Sequence, residues 1–333
     1  MDIGEGWACS LEAQDHLIHC YFNGKTVAKV ELKDIMHCSG YLDAPTETAV
    51  APAPPSGKPF SIVSVPEPKS LLKAAKFLHE RIQPASGTSS AYIVQDEDAA
   101  YNLVIALGGS SRYTKGDAEV ENILATAEAA QHMSCTTASP VAFFKVSALP
   151  CYSCYPGTGL LGLVPKSVPQ PGLAFKQKGD MIYLLGHAVE DLGSSEYLFS
   201  YHGIQHSPAP FLNAQGQAAL QAALAEAIKK NLLNSIGSIS KGGLFTTLLS
   251  AATPQQLGFD ITTDAEIRED AFLFGESLGR IMVSVSEKND IAFVDLMNRC
   301  NIQATTLGHV TKGELRVDDI SFGFIPDFSC QTL

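Results

Sequence analysis

Three short stretches hold the residue types that could do chemistry. In SISKGGLFTTLL, residues 238–249, Ser240 and Lys241 precede two adjacent glycines, Gly242 and Gly243, and then an apolar run. Glycine lets the backbone come close to a ligand, and the free N–H groups of a helix start attract anions. The stretch therefore reads as a phosphate-facing helix start or as a tight turn that packs a helix on a sheet. In LGSSEYL, residues 192–198, the hydroxyls of Ser194 and Ser195 could cap a helix. Together with Glu196 they could equally meet a phosphorylated or amide substrate. In DAFLFGESLGR, residues 270–280, Glu276 and Ser277 lie in a turn between apolar segments. A carboxylate there could bind substrate or assist proton transfer, or it could be an exposed turn acid.

Other constellations are weaker. His16, His19 and Cys20 are close in HLIHC, but on a strand His16 and His19 face opposite sides, which is poor spacing for joint ligation. Cys151 and Cys154 form a CxxC that Cys135 could join, but no second pair is spaced to complete a four-cysteine zinc site. CYSCYPGTG is turn-rich, whereas a thioredoxin-like pair needs a strand followed by a helix start. No GxSxG elbow singles out a nucleophilic serine. Neither catalytic residues nor metal ligands are assigned.

The elements that must position these residues follow from periodicity. HLIHCYF and NGKTVAKVEL, joined at Asn23–Gly24, read as a hairpin. TETAVAPAPPSGKPF is a stiff proline-rich connector. Residues 66–84 and 117–133 read as helices, with SAYIVQ and YNLVIAL as strands between them. Two strands joined by a Pro/Gly turn are expected in SPVAFFKVSALPCYSCYPGTGLLGLVPK. Then come the strand MIYLLG, an amphipathic helix over 214–233, the helix GGLFTTLLSAA, and the strands LGFDIT and GRIMVSVS. The helix KNDIAFVDLMNRCN and the strands ATTLGHV and ELRV close the pattern. Mixed strands and helices with short links indicate an α/β or α+β domain.

Bulk properties narrow the function classes. A chain of 333 residues suggests two domains. Hydrophobic residues at 45% and charged residues at 17% suit a folded chain with a real core. A formal net charge of −12 disfavours a nucleic-acid binder, though not a local phosphate site built from amides. MDIGEGWACSLEAQ lacks the features of a signal peptide, and no apolar run is long enough to span a bilayer. The eight scattered cysteines then read as free thiols, and a cytoplasmic location is expected.

Taken together, the three stretches resemble the C-terminal half of formylglycinamidine ribonucleotide (FGAM) synthase, the PurL family. KGDMIYLLG followed by SSEYL is similar to the family's GD-x-I-x-LLG and GGSEYL. FLFGESLGR resembles FGES-Q-x-R, and ATTLGHVTKGELRV the closing strand pair. SISKGGLFTTLLSAA resembles the D-[VI]-S-D-G-G-L turn and its helix. Upstream, SSRYTKGDAEVENILATAEAAQHMSC, PEPKSLLKAAKFL and HCYFNGKTVAKVEL extend the likeness.

The resemblance implies an α+β, AIR-synthase-like fold. Residues 1–50 would be a β appendage like the tail of a preceding domain, and 51–65 a linker. Residues 66–174 would be a shortened AIR-synthase N-terminal-type domain, and 175–325 the C-terminal-type domain. It implies an ATP-dependent ligase of purine biosynthesis, with ATP and Mg²⁺ as cofactors and ammonia drawn from glutamine. Ser240, Lys241, Gly242 and Gly243 would face nucleotide; Ser194, Ser195, Glu196, Glu276 and Ser277 would face substrate. The family's first half is absent, so a partner supplying that half and a glutaminase is expected, or a homodimer that covers the first domain's sheet. The family has aspartates where this chain has Ser238 and Lys241, and an ammonium cannot hold Mg²⁺. The family's Asn-Phe-Gly-Asn-Pro turn is missing. Its Gly-Gly-Asn-Val-Ser turn survives at most as Phe143, Phe144, Lys145, Val146 and Ser147. The alternative is a non-catalytic descendant that keeps the fold for binding or assembly.

Overall fold

A computed structural model describes residues 9–14, 17–22, 25–31, 62–82, 91–94, 101–109, 118–146, 157–204 and 207–328. The Asn23–Gly24 turn, residues 51–61 of the connector, and Cys151 and Cys154 lie outside the described residues. Strands β1 (Cys9–Gln14), β2 (Leu17–Phe22) and β3 (Lys25–Glu31) form an antiparallel meander, with Phe22 paired to Lys25 across the expected hairpin.

Helix α1 (Leu71–Ile82) starts later than periodicity suggested. Pro66 and Pro68 cannot donate to a helix, and the Ser70 hydroxyl takes the Lys73 N–H at 3.3 Å as the cap. A four-stranded antiparallel sheet follows, in the order β4 (Tyr92–Val94), β5 (Tyr101–Gly108), β7 (Gly157–Pro165), β6 (Ser139–Val146). Helix α2 (Ala118–Ser134) lies on one face, where Val104, Ala106, Met133 and Val164 form a small core. Gly108 permits this approach, because a Cβ there would run into the Ala125 carbonyl and the Ala129 amide of α2. The alternate side chains, Leu103, Ile105, Leu107 and Leu161, are also buried.

The larger unit is a seven-stranded mixed sheet, ordered β14 (Ile320–Phe324), β13 (Glu314–Val317), β10 (Gly258–Ile261), β12 (Ala304–Thr311), β8 (Met181–Leu185), β11 (Ile281–Val285), β9 (Ser235–Ser238). Only β10 and β13 pair in parallel. The period of two in β8 splits its side chains between two cores. Ile182 and Leu184 join one core, with α1, α4 (Gly243–Ala252) and α5 (Glu269–Phe274). Tyr183 and Leu185 join the other, with α3 (Ala214–Lys229) and α6 (Glu287–Arg299). All ten residues of α4 are buried, which fits a helix without a charged side chain whose Thr247 hydroxyl is satisfied by backbone carbonyls.

Two elements sit where the sequence did not put them. Ala74, Ala75, Leu78 and Ile82 of α1 belong to the core of the large sheet, although α1 precedes the smaller sheet in the chain. Ile62 and Val65, at the end of the expected connector, are buried in the same core. The Arg268 guanidinium fixes them by donating to the Ile62 and Val65 carbonyls at 3.2 and 2.8 Å. Among the described residues no helix is long and apolar enough to cross a membrane.

Candidate functional site

The glycine turn is built by β9 leading into α4. Gly242 and Gly243 have φ of +81° and +72°, in the left-handed region that glycine adopts without penalty. Both positions also demand close approach. A Cβ on Gly243 would lie 2.5 Å from the Leu273 carbonyl oxygen and 2.7 Å from the Phe274 carbonyl carbon. A Cβ on Gly242 would collide with Ile82 of α1 and Thr246 of α4. The pair thus lets α4 pack end-on against α5 and α1.

The turn is already supplied with an anion. Glu276 Oε1 accepts the Gly242 N–H at 2.7 Å and the Glu196 N–H at 2.8 Å. One carboxylate oxygen therefore joins all three sequence motifs: the glycine turn, the serine turn and the Gly-Glu-Ser turn. Residue 276 is partly buried rather than an exposed turn acid. A carboxylate at this end of α4 also matches the helix dipole. Gly243 N–H is used as well, donating to the Ser240 carbonyl at 2.9 Å. Lys241 Nζ stands 3.8 Å from Glu196 Oε2, and Glu196 Oε1 also receives the Ser200 hydroxyl.

The candidate serines face inward. Ser194, at φ +52°, donates its hydroxyl to the Pro208 carbonyl at 2.8 Å. Ser195 donates to the Leu192 carbonyl at 2.7 Å and accepts the Leu198 N–H at 3.2 Å. The second bond ties Ser195 to the first turn of a short π-helix, Tyr197–Tyr201. Ser277 donates to Asp191 Oδ2 at 3.1 Å. All three serines are buried. Ser240, Lys241 and Glu276 are the candidates that keep partial exposure.

Three residues at the site were not singled out from the sequence. Asp191 accepts the Gly193 N–H at 2.8 Å and the Phe211 N–H at 2.7 Å. Its Asp-Leu-Gly spacing is an Asx-turn signal that could have revealed it. Arg280 is buried, with Nη2 donating to the Gly275 carbonyl at 2.6 Å and Nε to the Ser277 carbonyl at 3.3 Å. Burial lowers its pKa to about 10, against the upward pull of Asp191 and Glu276, so it stays cationic at neutral pH. The turn is thus wrapped around its own guanidinium. Gln131 enters from α2, and nothing in its local sequence marks it.

A magnesium–triphosphate group does not fit this turn. Its leading N–H is held by a carboxylate, and phosphate oxygens would have to approach Glu276 and Glu196. Among the described residues no three His, Cys, Asp or Glu side chains converge to hold a metal ion.

Fold and turns together define an AIR-synthase-related C-terminal domain, and residues 177–320 match the family described as AIR synthase related protein, C-terminal domain. The chain is PurL-like, related to the C-terminal half of phosphoribosylformylglycinamidine synthase. It is 25% identical over 261 residues to the synthase subunit PurL of Moorella thermoacetica, covering 66% of this chain and 36% of that protein. To PurL of Petrotoga mobilis it is 33% identical over 172 residues, 51% of this chain and 23% of the relative. The chain thus spans only about a quarter to a third of the length of these relatives. A solved structure of T. maritima PurL complexed with FGAR superposes with a TM-score of 0.62 at 12% identity, covering 79% of this chain and 54% of that one. These likenesses establish the α+β, AIR-synthase-like fold.

Proposed function

We propose that this chain is an FGAM-synthase-related protein of purine biosynthesis, contributing a C-terminal half to a ligase completed by a partner. The observation that carries the reading is the convergence of the three PurL-like turns on one oxygen of Glu276. The division at about residue 175, with a shortened domain before it, belongs to the same proposal. The relatives support it: T. maritima PurL has been solved with FGAR and with ADP, and as an assembly named PurLQS. The ligand class is the formylglycinamide ribonucleotide, whose uncharged amide and hydroxyl groups would donate to the face formed by Ser240, Lys241 and Glu276 while its phosphate stays clear of that carboxylate. ATP and Mg²⁺ belong to the half that the partner supplies, because the glycine turn here is closed by its own carboxylate.

A second reading is a non-catalytic PurL-like protein that keeps the fold for assembly. It is favoured by the inward-turned hydroxyls of Ser194, Ser195 and Ser277. Calorimetry separates the two. Titration of the purified chain with FGAR should release heat, and amidine should form only after a first-half polypeptide, ATP, Mg²⁺ and ammonia are added. Absence of FGAR binding, together with no turnover in the mixture, would discard the ligase reading and leave assembly.

A further inference from the structure

We infer that Gln131 is the positioning residue through which helix α2 of the smaller unit holds two of the three turns of the candidate site, the glycine turn and the Gly-Glu-Ser turn, in register. Its side chain is 1% exposed and reaches out of its own sheet's territory. The two N–H groups of Nε2 serve three acceptors, two of which share one hydrogen: Ser238 Oγ at 2.8 Å, the Ile239 carbonyl at 2.9 Å and the Arg280 carbonyl at 3.2 Å. Oε1 accepts the Gly279 N–H at 2.6 Å. The first two acceptors lie where β9 runs into the Gly242–Gly243 turn. The other two partners lie where the Gly-Glu-Ser turn runs into β11. One amide therefore clamps both the exit of one turn and the entry of the other.

The chemistry requires an amide at this point. Carbonyl acceptors and a backbone donor face the same buried spot, and only a group with both N–H and C=O satisfies both kinds. A carboxylate would set its charge against two carbonyls, and an apolar side chain would leave the Gly279 N–H without its buried partner. The neighbouring residues of α2 tie the helix to its own sheet. Glu128 Oε2 accepts the Gly109 N–H at 2.8 Å, and His132 Nδ1 donates to the Leu107 carbonyl at 2.7 Å. Gln217 of α3 adds a second tie from the large unit, donating to the Ala127 carbonyl at 2.5 Å. Helix α2 is thus fastened to the small sheet on one side and to the two turns on the other. The clamp thus reaches Glu276 by two routes, along its own turn from Gly279–Arg280 and through the Gly242 turn whose N–H it accepts. Residue 131 lies outside the matched C-terminal domain at 177–320, so that domain's turns depend on a residue from upstream. The inference concerns the site of the proposed function, yet the clamp can be read without any ligand.

The test is hydrogen exchange followed by mass spectrometry on the full chain, comparing wild type with Gln131→Met and Ser238→Ala. Methionine preserves the length of the side chain and removes both polar ends. Peptides covering 238–245 and 275–281 should exchange about tenfold faster together in Gln131→Met, because each loses a buried hydrogen bond. Peptides covering β8 and β10 should hold the wild-type rate. Ser238→Ala removes one of the three acceptors and should give a smaller rise in the first peptide, with the second unchanged. Unchanged turns in Gln131→Met would overturn the inference, as would loosening of β8 and β10 in step with the turns. If Gln131→Met does not fold, Ser238→Ala decides: wild-type exchange at 238–245 overturns the inference. Failure of FGAR to bind leaves these readouts unaffected and speaks only to the proposed function.

Discussion

Acidification should weaken the fold through His132, and the size of the loss follows from its surroundings. The ring is 2% exposed on α2. Nδ1 donates to the Leu107 carbonyl at 2.7 Å, and Nε2 is buried without a hydrogen-bond partner. A proton on Nε2 would be an unpaired buried charge. Desolvation by burial therefore lowers the pKa from 6.5 to about 4, only partly offset by the Leu107 bond. Because the folded value lies below the unfolded one, the unfolded chain binds more protons between these limits. Stability is then full above pH 6.5 and is lost as pH falls toward 4. A shift of this size corresponds to about 3 kcal/mol in full, of which about 2 kcal/mol is gone at pH 5 relative to pH 7.5. His79 and His202 are also lowered by burial and add in the same direction, so a variant is needed to isolate His132. Asparagine can place an N–H near the position of Nδ1 and does not titrate. Urea unfolding of wild type and His132→Asn at pH 7.5 and pH 5 should show wild type losing about 2 kcal/mol more than the variant. Parallel losses in the two proteins would refute the reasoning, as would an NMR titration placing the ring near pH 6.5.

Other perturbations should report on the turn network. Gly243→Ala should cost about 3 kcal/mol, combining left-handed backbone strain with a clash against the backbone of α5, and is read by denaturant unfolding. Glu276→Ala should cost about 2–4 kcal/mol because the Gly242 and Glu196 amides both lose their acceptor. Glu276→Gln, which keeps an acceptor oxygen, should lose clearly less; equal losses would mean that hydrogen bonding is not the main contribution. Arg268→Ala should cost about 3 kcal/mol by leaving buried Asp270 without its 2.6 Å ion pair. The same change should release residues 62–65, seen as faster proteolytic cleavage there; unchanged cleavage would show that the two carbonyl bonds do not hold the segment.

Much of the architecture was legible because it rests on local rules. The strands at 181–185 and 281–285, the helix after Gly243 and the helix at 287–299 follow from apolar periodicity and short links, which act within a dozen residues. The three chemical stretches were also visible, since glycine pairs, serine turns and a lone carboxylate between apolar runs have composition signatures. What they do was not. The two glycines were compatible with an anion cradle or a packing turn until the Glu276 carboxylate, some thirty residues away, was found on the Gly242 N–H. The short strands β9 and β14 and the short helix α5 were missed because their windows are too brief for periodicity to decide. Placement of α1 and residues 62–65 in the core of the large sheet depends on contacts about two hundred residues apart, such as Arg268 with Val65. Gln131 and Arg280 show the same limit. A polar residue in a helix or beside a glycine looks solvated in sequence, and only the packed structure shows that it is buried and what it satisfies. Residue types and spacing determined the elements and the family likeness, through local propensity. Tertiary structure decided which amide, carbonyl and carboxylate meet, because hydrogen-bond partners are chosen by distance in space, not along the chain.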